Sequence, residues 1–237
     1  GAGIYGAQFY GRGDMDGMRH TFRFKLIIVS VITAAAIALL SAAGAALIRR
    51  YIAADTSAAD VEATMSYALD YLHIMLIGLV PFAVTQCYAG TLRESGQTVL
   101  PMRASIAAIL VNFVFNSLLI FGLLGFPRLG VVGAAIATVI SRFVELAIVV
   151  YGAHRTPGRF PFFEGVFRGF RIPWGLAKNI MSKSLPLLCN ELLWSTGQAV
   201  LLQCYSVRGI QVVAAMNICS TVSQIFNEAF LSLGNAT

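Results

Sequence analysis

Long apolar stretches alternate with short polar segments along most of this chain. The clearest stretch runs from residue 104 to residue 127 and contains no charged residue. At a rise of about 1.5 Å per residue, it is long enough to cross a hydrocarbon layer of about 30 Å. The pattern therefore predicts a transmembrane helix over residues 104–126.

Similar apolar stretches recur and predict further membrane spans. Together the predicted spans cover residues 26–48, 71–92, 104–126, 129–153, 184–207 and 209–237. Residues 1–11 have the character of the end of an earlier helix, and we expect the chain to be an internal piece of a longer protein. A composition that is 57% hydrophobic and 12% charged agrees with this pattern. The sequence predicts an all-α membrane protein, a polytopic helical bundle.

The basic residues are unevenly divided between the two ends of the predicted spans. Twelve Lys and Arg lie in the segments 12–25, 93–103 and 154–183, whereas the opposite segments hold four. Because cytoplasmic loops carry an excess of Lys and Arg, we predict that these three loops are cytoplasmic. The basic residues behind the net charge of +6 thus mark membrane orientation, and we expect a multi-pass protein of the plasma (inner) membrane. We expect a lipid bilayer around it and no nucleic-acid partner.

The segment 154–183 is the longest polar connection. Its Pro, Gly and Phe content predicts a linker that lies against the membrane surface. Within it, residues 174–183 suit a short amphipathic helix.

Polar side chains fall near the middle of three predicted spans. Asn112, Thr138 and Glu191 lie ~13, ~15 and ~12 Å from the nearest loop charge, and Asn116 shares a helix face with Asn112. Hydrogen bonds between helices, worth about 0.6 kcal/mol each, would explain the amides and the hydroxyl. A carboxylate at this depth costs about 2.5 kcal/mol or more unless it is protonated, paired or bound to a cation. Glu191, with Asn190 beside it, is therefore a candidate proton or cation site.

Two charged residues in one span predict a structural contact. Arg142 and Glu145 are three residues apart and occupy neighbouring positions on a helix, where opposite charges can pair. We predict a structural ion pair between them.

Motifs of soluble enzymes are absent or out of context. Gly1, Gly3 and Gly6 match the spacing of a dinucleotide-binding loop, but no strand precedes them. No HExxH, GxSxG or paired aspartates occur within the predicted spans. We therefore expect neither an enzyme nor a metal site.

Several segments, taken in order, resemble the multidrug and toxic compound extrusion (MATE) transporters. They are residues 7–14 (AQFYGRGD), 92–98 (LRESGQT) with Pro101, 112–122 (NFVFNSLLIFG), 129–138 (LGVVGAAIAT) and 185–194 (LPLLCNELLW). No single segment is decisive, but the ordered set is fairly specific and covers essentially the whole chain.

The resemblance implies a fold of twelve helices in two six-helix lobes. Residues 1–153 would hold most of the first lobe, from the end of helix 2 to helix 6. Residues 154–183 would form the cytoplasmic inter-lobe linker, and residues 184–237 would form helices 7 and 8 of the second lobe. We expect a monomer when the protein is full length.

The resemblance also implies a function and site residues. It implies a secondary antiporter that exports organic, cationic and amphipathic compounds in exchange for H⁺ or Na⁺, the coupling ion being the only cofactor. In one branch of the family, residues matching Asn112, Asn116 and Thr138 line the first-lobe cavity, and the position of Asn116 is usually an Asp. In the other branch a Glu on helix 7 acts, and Glu191 lies on that helix.

Two alternative functions stay open. A lipid or polysaccharide-precursor flippase of the same superfamily would need several basic residues in its cavity, but within the predicted spans only Arg142 is basic. A channel would also suit polar groups at the midplane.

Overall fold

A computed structural model describes residues 2–49, 58–155, 158–169, 172–206 and 210–236. The α-helices of these residues are α1 (Ala2–Gly11), α2 (Met15–Arg49), α3 (Ala58–Glu94), α4 (Val99–Phe121), α5 (Gly130–His154), α6 (Trp174–Ser206) and α7 (Ile210–Ala236). Short 3-10 turns lie at Leu123–Gly125, Pro161–Phe163 and Val166–Arg168. No strand occurs in these ranges, and the predicted all-α class is confirmed.

Among the described helices, four are long and apolar enough to cross a membrane. They are Met15–Arg49, Thr64–Glu94, Val99–Phe121 and Gly130–His154. The predicted spans at 184–207 and 209–237 do correspond to long helices, α6 and α7, but neither belongs to this group. Amide side chains such as Gln198, Asn217 and Gln224 lower the apolarity of these two helices.

The first five helices pack closely together. Helix α5 lies against α3 and α4, α2 packs along α3, and the short α1 contacts α2 and α3. Helix α6 packs against α7 and contacts α1, where the Lys183 ammonium lies 5.7 Å from the centre of the Tyr5 ring.

A tight hairpin joins α4 to α5. Gly122 ends α4 with a φ of 71°, a left-handed conformation that favours glycine, and its N–H donates to Leu118 O at 3.0 Å. The N–H of Leu129 then donates to Leu119 O at 2.9 Å, which returns the chain alongside α4. This hairpin aligns the polar residues of α4 with those of α5.

Two of the predicted cytoplasmic loops are shorter than expected. Residues 15–25 are the first turns of α2, because Asp14 caps this helix and accepts a hydrogen bond from the N–H of Gly17 at 2.8 Å. Likewise α4 begins at Val99 and takes in the rest of the segment 93–103. Pro101 fits there because the first turn of a helix needs no backbone donor at that position.

The linker also differs from its prediction. Residues 174–183 do not form a separate amphipathic helix, since they are the first turns of α6. The segment before them packs against the helices. Residues 160–168, which we name the linker cap, fold onto the ends of α2 and α3, and Phe160, Phe162 and Phe163 are buried.

Aromatic packing and two arginines of α2 hold the linker cap. The Phe163 ring lies 5.0 Å from the rings of both Phe22 and Tyr88. Arg23, only 8% exposed, donates from Nε to Val166 O at 2.7 Å and from Nη2 to Gly165 O at 2.8 Å. Arg19 Nη2 donates to Pro161 O at 3.0 Å. Pro161 O and Gly165 O also accept a backbone N–H within the 3-10 turns, at 3.2 and 3.1 Å, so the arginines add a second hydrogen bond to each.

The three segments predicted to be cytoplasmic meet at one end of the bundle. Lys25 of α2 forms an ion pair with Glu94 at the end of α3. Tyr88 Oη lies 3.1 Å from His154 Nε2, at the end of α5. The shared end agrees with a multi-pass arrangement in which these segments lie on one side.

The glycine pattern near the start has a packing explanation. A Cβ atom added to Gly3 would lie 2.8 Å from Glu94 Oε1, and Gly6 also faces the Glu94 carboxylate. Small residues therefore allow α1 to approach the Lys25–Glu94 pair.

Candidate functional site

A hydrogen-bonded polar cluster lies between α4 and α5 at the middle of both helices. Asn112 Nδ2 lies 3.4 Å from Thr138 Oγ1, and Asn116 Nδ2 donates to Asn112 Oδ1 at 2.9 Å. Thr138 Oγ1 in turn donates to Ala134 O at 2.9 Å. The structure thus brings together three of the residues that the sequence singles out, and we call Asn112, Asn116 and Thr138 the polar cluster.

One acceptor of the polar cluster is unsatisfied. Asn116 Oδ1 is buried and has no hydrogen-bond partner in the described part of the chain. An unpaired buried acceptor costs about 1–3 kcal/mol, so this oxygen suits a cation or a hydrogen-bond donor. Within the described ranges no group of His, Cys, Asp and Glu could hold a metal ion.

A second polar contact joins the same helices two turns nearer the linker cap. Glu145, 7% exposed, accepts a hydrogen bond from Ser105 Oγ at 2.9 Å. Arg142 Nη1 lies 3.2 Å from Glu145 Oε2, the pair that the spacing predicts. Sequence analysis missed Ser105. Its spacing from Asn112 equals that of Glu145 from Thr138, and this signal could have found it.

A pocket of about 210 Å³ opens between α3 and α5 beside the polar cluster. It is lined by Met75, Gly78, Leu79, Phe82, Thr138, Val139 and Arg142. The Arg142 guanidinium carbon lies 4.7 Å from the centre of the Phe82 ring. Thr138 belongs to both the pocket and the cluster. The pocket is large enough for part of a small organic molecule.

The structure does not join Glu191 to the polar cluster. Asn190 and Glu191 are both exposed on α6, and among the described residues Glu191 makes no hydrogen bond or ion pair. A separate pocket of about 500 Å³ lies between α6 and α7. Its polar lining includes Gln198, Asn217, Ser220, Ser223, Gln224 and Asn227.

Sequence analysis also missed the largely buried ion pair at the shared end of the bundle. Besides Glu94, Lys25 Nζ contacts Thr91 Oγ1 at 3.2 Å. Lys25 and Glu94 are far apart in sequence, so no local sequence pattern predicts their contact. Lys25 was counted only as a loop charge, and Glu94 entered only as part of the segment 92–98.

Helices long enough to cross a membrane, packed side by side, define a polytopic helical membrane protein. The paired polar groups and the pocket between these helices form its candidate site. The model of the family MatE matches residues 1–118. The probable multidrug resistance protein NorM of Thermotoga maritima is 30% identical over 70% of this chain and 35% of its own length. The NorM protein of Geobacillus kaustophilus is 27% identical over 75% of this chain and 37% of its own length.

A solved structure shares the fold. It is described as an inward-facing conformation of a multidrug resistance MATE family transporter, with a TM-score of 0.64 and 23% identity over 78% of this chain and 39% of the other. The chain belongs to the MATE family. It spans little more than a third of the length of the two curated relatives. Members of this family are transporters and not enzymes.

Proposed function

We propose that the full-length protein is a monomeric multidrug efflux transporter. It exports organic, cationic and amphipathic compounds in exchange for H⁺ or Na⁺. The names of the relatives, which are multidrug resistance proteins, support efflux. The observation that carries the proposal is the polar cluster, with its one unpaired oxygen on Asn116, beside the α3–α5 pocket.

The pocket and the polar cluster offer different kinds of contact to a substrate. Met75, Leu79 and Phe82 offer apolar and aromatic contacts to the body of the substrate. The hydroxyl of Thr138 and the free oxygen of Asn116 offer acceptors to a cationic group or to a coupling ion. A site with these two parts binds amphipathic cations of varied shape.

The two candidate coupling ions would bind to different polar residues. An amide does not take up a proton near neutral pH, so Asn112 and Asn116 serve proton coupling only as hydrogen-bond partners. Their oxygens are nevertheless suitable ligands for Na⁺, a hard cation. Proton coupling would instead use the carboxylate of Glu191, with Asn190 beside it. When that carboxylate takes up one cation it releases another, which links the two fluxes.

Alternating access follows from rocking of the two lobes about a site near the midplane. Residues 1–153 and 184–237 belong to different lobes in this proposal, and residues 154–183 connect them. The flippase alternative is less well supported, because the α3–α5 pocket contains one basic residue, Arg142. A cavity for a pyrophosphate would need several.

The role of Glu191 is tested by Glu191→Gln in the full-length protein, with ethidium efflux from intact cells as the measurement. We expect loss of efflux at unchanged expression, because the amide cannot carry a proton. Glu62→Gln makes the same change at an exposed position of α3 and should leave efflux intact. Full efflux by the Glu191 variant would remove this residue from the mechanism.

The coupling ion is tested by collapsing the H⁺ and Na⁺ gradients in turn. Efflux that survives loss of the H⁺ gradient and stops without Na⁺ would support the oxygens of the polar cluster as the ion site. The reverse result would favour Glu191. Efflux that is unchanged when either gradient is collapsed would contradict the proposal that the protein is an antiporter.

A further inference from the structure

The exposed face of α5 changes from apolar to basic as it approaches the linker cap. Residues four apart lie one above the other on a helix, and the exposed residues at this spacing are Phe143, Ala147, Tyr151 and Arg155. Tyr151 is 63% exposed, and the Arg155 guanidinium carbon lies 5.5 Å from the centre of its ring. From Phe143 to Arg155 the face is about 18 Å long. Its apolar, aromatic and basic parts follow the order in which a bilayer presents hydrocarbon, interface and phosphate.

The outer side of the linker cap continues this face. Phe167 is exposed, and the centre of its ring lies 6.2 Å from the ring of His154, the residue before Arg155. Arg168 follows Phe167 and is exposed too. The end of α5 and the cap thus present aromatic and basic side chains next to each other. We name this the aromatic–basic surface, and it consists of Tyr151, Arg155, Phe167 and Arg168.

The positive charges of the aromatic–basic surface are available to a partner. Residues 151–168 contain three arginines and one acidic residue, Glu164. The Glu164 carboxylate accepts a hydrogen bond from the N–H of Gly158 at 2.6 Å. Among the described residues, the guanidinium groups of Arg155 and Arg168 make no hydrogen bond or ion pair. They differ in this from Arg23, which is bound to carbonyl groups of the cap.

We propose that the aromatic–basic surface binds the headgroups of anionic phospholipids in the leaflet on the side of the linker cap. A guanidinium matches a phosphate in two parallel hydrogen bonds. Aromatic side chains such as Tyr151 and Phe167 favour the boundary between headgroups and acyl chains. Each basic residue near an anionic membrane surface adds attraction, so three arginines against one acid favour an anionic lipid over a zwitterionic one.

This surface is separate from the proposed transport site. It lies at one end of α5 and does not include the residues that line the α3–α5 pocket. Arg155 follows the end of α5, whereas Arg168 belongs to the linker cap. Bound lipid would therefore hold the helix and the cap against the same membrane surface.

Two lipids with the same acyl chains test the proposal. Dioleoylphosphatidylglycerol is anionic and dioleoylphosphatidylcholine is zwitterionic. Native mass spectrometry of the purified full-length protein measures the Kd of each lipid. We expect the wild-type protein to bind the anionic lipid more tightly. The double variant Arg155→Gln and Arg168→Gln should weaken its binding about tenfold. Binding of the zwitterionic lipid should change by less than about twofold, since the attraction to net negative charge is absent.

A control with the same change of charge separates a local site from the general charge of this end of the bundle. Arg12 and Arg103 are also exposed, belong to segments that meet at the same end, and lie outside the aromatic–basic surface. The double variant Arg12→Gln and Arg103→Gln should leave the Kd of both lipids within about twofold of wild type. Equal weakening by the two double variants would overturn the inference, as would equal affinity of the wild-type protein for the two lipids.

Trypsin digestion of the wild-type protein keeps the test decisive if the Arg155 and Arg168 variant does not fold. Phosphatidylglycerol at ten times its Kd should slow cleavage after Arg155 and Arg168 about tenfold, because bound lipid covers both sites. Cleavage after Arg12 is the internal reference and should change little. Equal slowing at all three sites, or slowing at none, would overturn the inference.

Discussion

At the scale of single residues, Gly133 shows how closely α4 and α5 approach each other. A Cβ atom at this position would lie 2.7 Å from Leu119 O and 2.9 Å from Leu119 C, both backbone atoms. Backbone atoms cannot move aside as a flexible side chain can, so the helices would have to separate. The Asn112–Thr138 contact, already 3.4 Å long, depends on this approach.

Gly133→Ala should therefore destabilise the protein by about 1–3 kcal/mol, the usual effect of overpacking. The measurement is thermal unfolding of the purified full-length protein in detergent. Gly90→Ala is the matched control, because its nearest neighbour, Glu94 Oε1, lies at 3.9 Å. Equal melting temperatures for the two variants would show that α4 and α5 are not in close contact at Gly133.

The polar residues were predictable from the sequence to different degrees. The helical period places Asn112 and Asn116 on one face, and counting from the loop charges places Thr138 at the same depth. Their contact follows once α4 and α5 form a hairpin. Ser105 contributes through Glu145, and its only mark in the sequence is a spacing from Asn112 that equals the spacing of Glu145 from Thr138. Depth alone did not reveal that Glu191 lies apart, because depth carries no information about which helices are neighbours.

At the scale of helices, the existence of each long helix was predictable and its ends were not. Hydropathy follows the apolar part of a helix, whereas residues 15–25 continue α2 as polar turns. Those turns persist because Arg19 and Arg23 bind carbonyl groups of the linker cap. The phenylalanines of the cap are buried because the cap packs onto α2 and α3. No local sequence pattern indicates this contact.

Phe163→Ala tests whether the linker cap is part of the packed core. Phe163 is 2% exposed, and its loss should weaken docking of the cap by about 3–5 kcal/mol. Limited trypsin digestion of the full-length protein measures the effect, since Arg159 and Arg168 flank the packed phenylalanines. We expect faster cleavage at both sites.

Phe167→Ala is the control for this experiment. Phe167 lies in the same cap but is 57% exposed, so its removal should change the digestion rate little. If both variants are cleaved like the wild-type protein, the cap is not held by its buried aromatic rings. Faster cleavage of the Phe167 variant alone would place the packed face on the other side of the turn.

At the scale of the whole molecule, the linker cap packs with α2 and α3, which the proposed function places in the first lobe. Arg23 and the Phe22–Tyr88–Phe163 contacts tie it to α2 and α3. In the proposed transport cycle, residues 160–168 would then move with the first lobe. Part of the predicted linker 154–183 therefore packs with α2 and α3.

Sidedness is the remaining property of the whole molecule, and accessible cysteines test it. The four native cysteines are first replaced by serine: Cys87, Cys189, Cys204 and Cys219. Phe126→Cys then marks the exposed turn between α4 and α5, and Gln97→Cys marks the exposed turn between α3 and α4. Because twelve basic residues lie on the side of Gln97, we expect a membrane-impermeant maleimide to label only Phe126→Cys in intact cells. Gln97→Cys should react after permeabilisation. The reverse pattern would invert the predicted orientation, and no labelling of either before permeabilisation would contradict a plasma-membrane location.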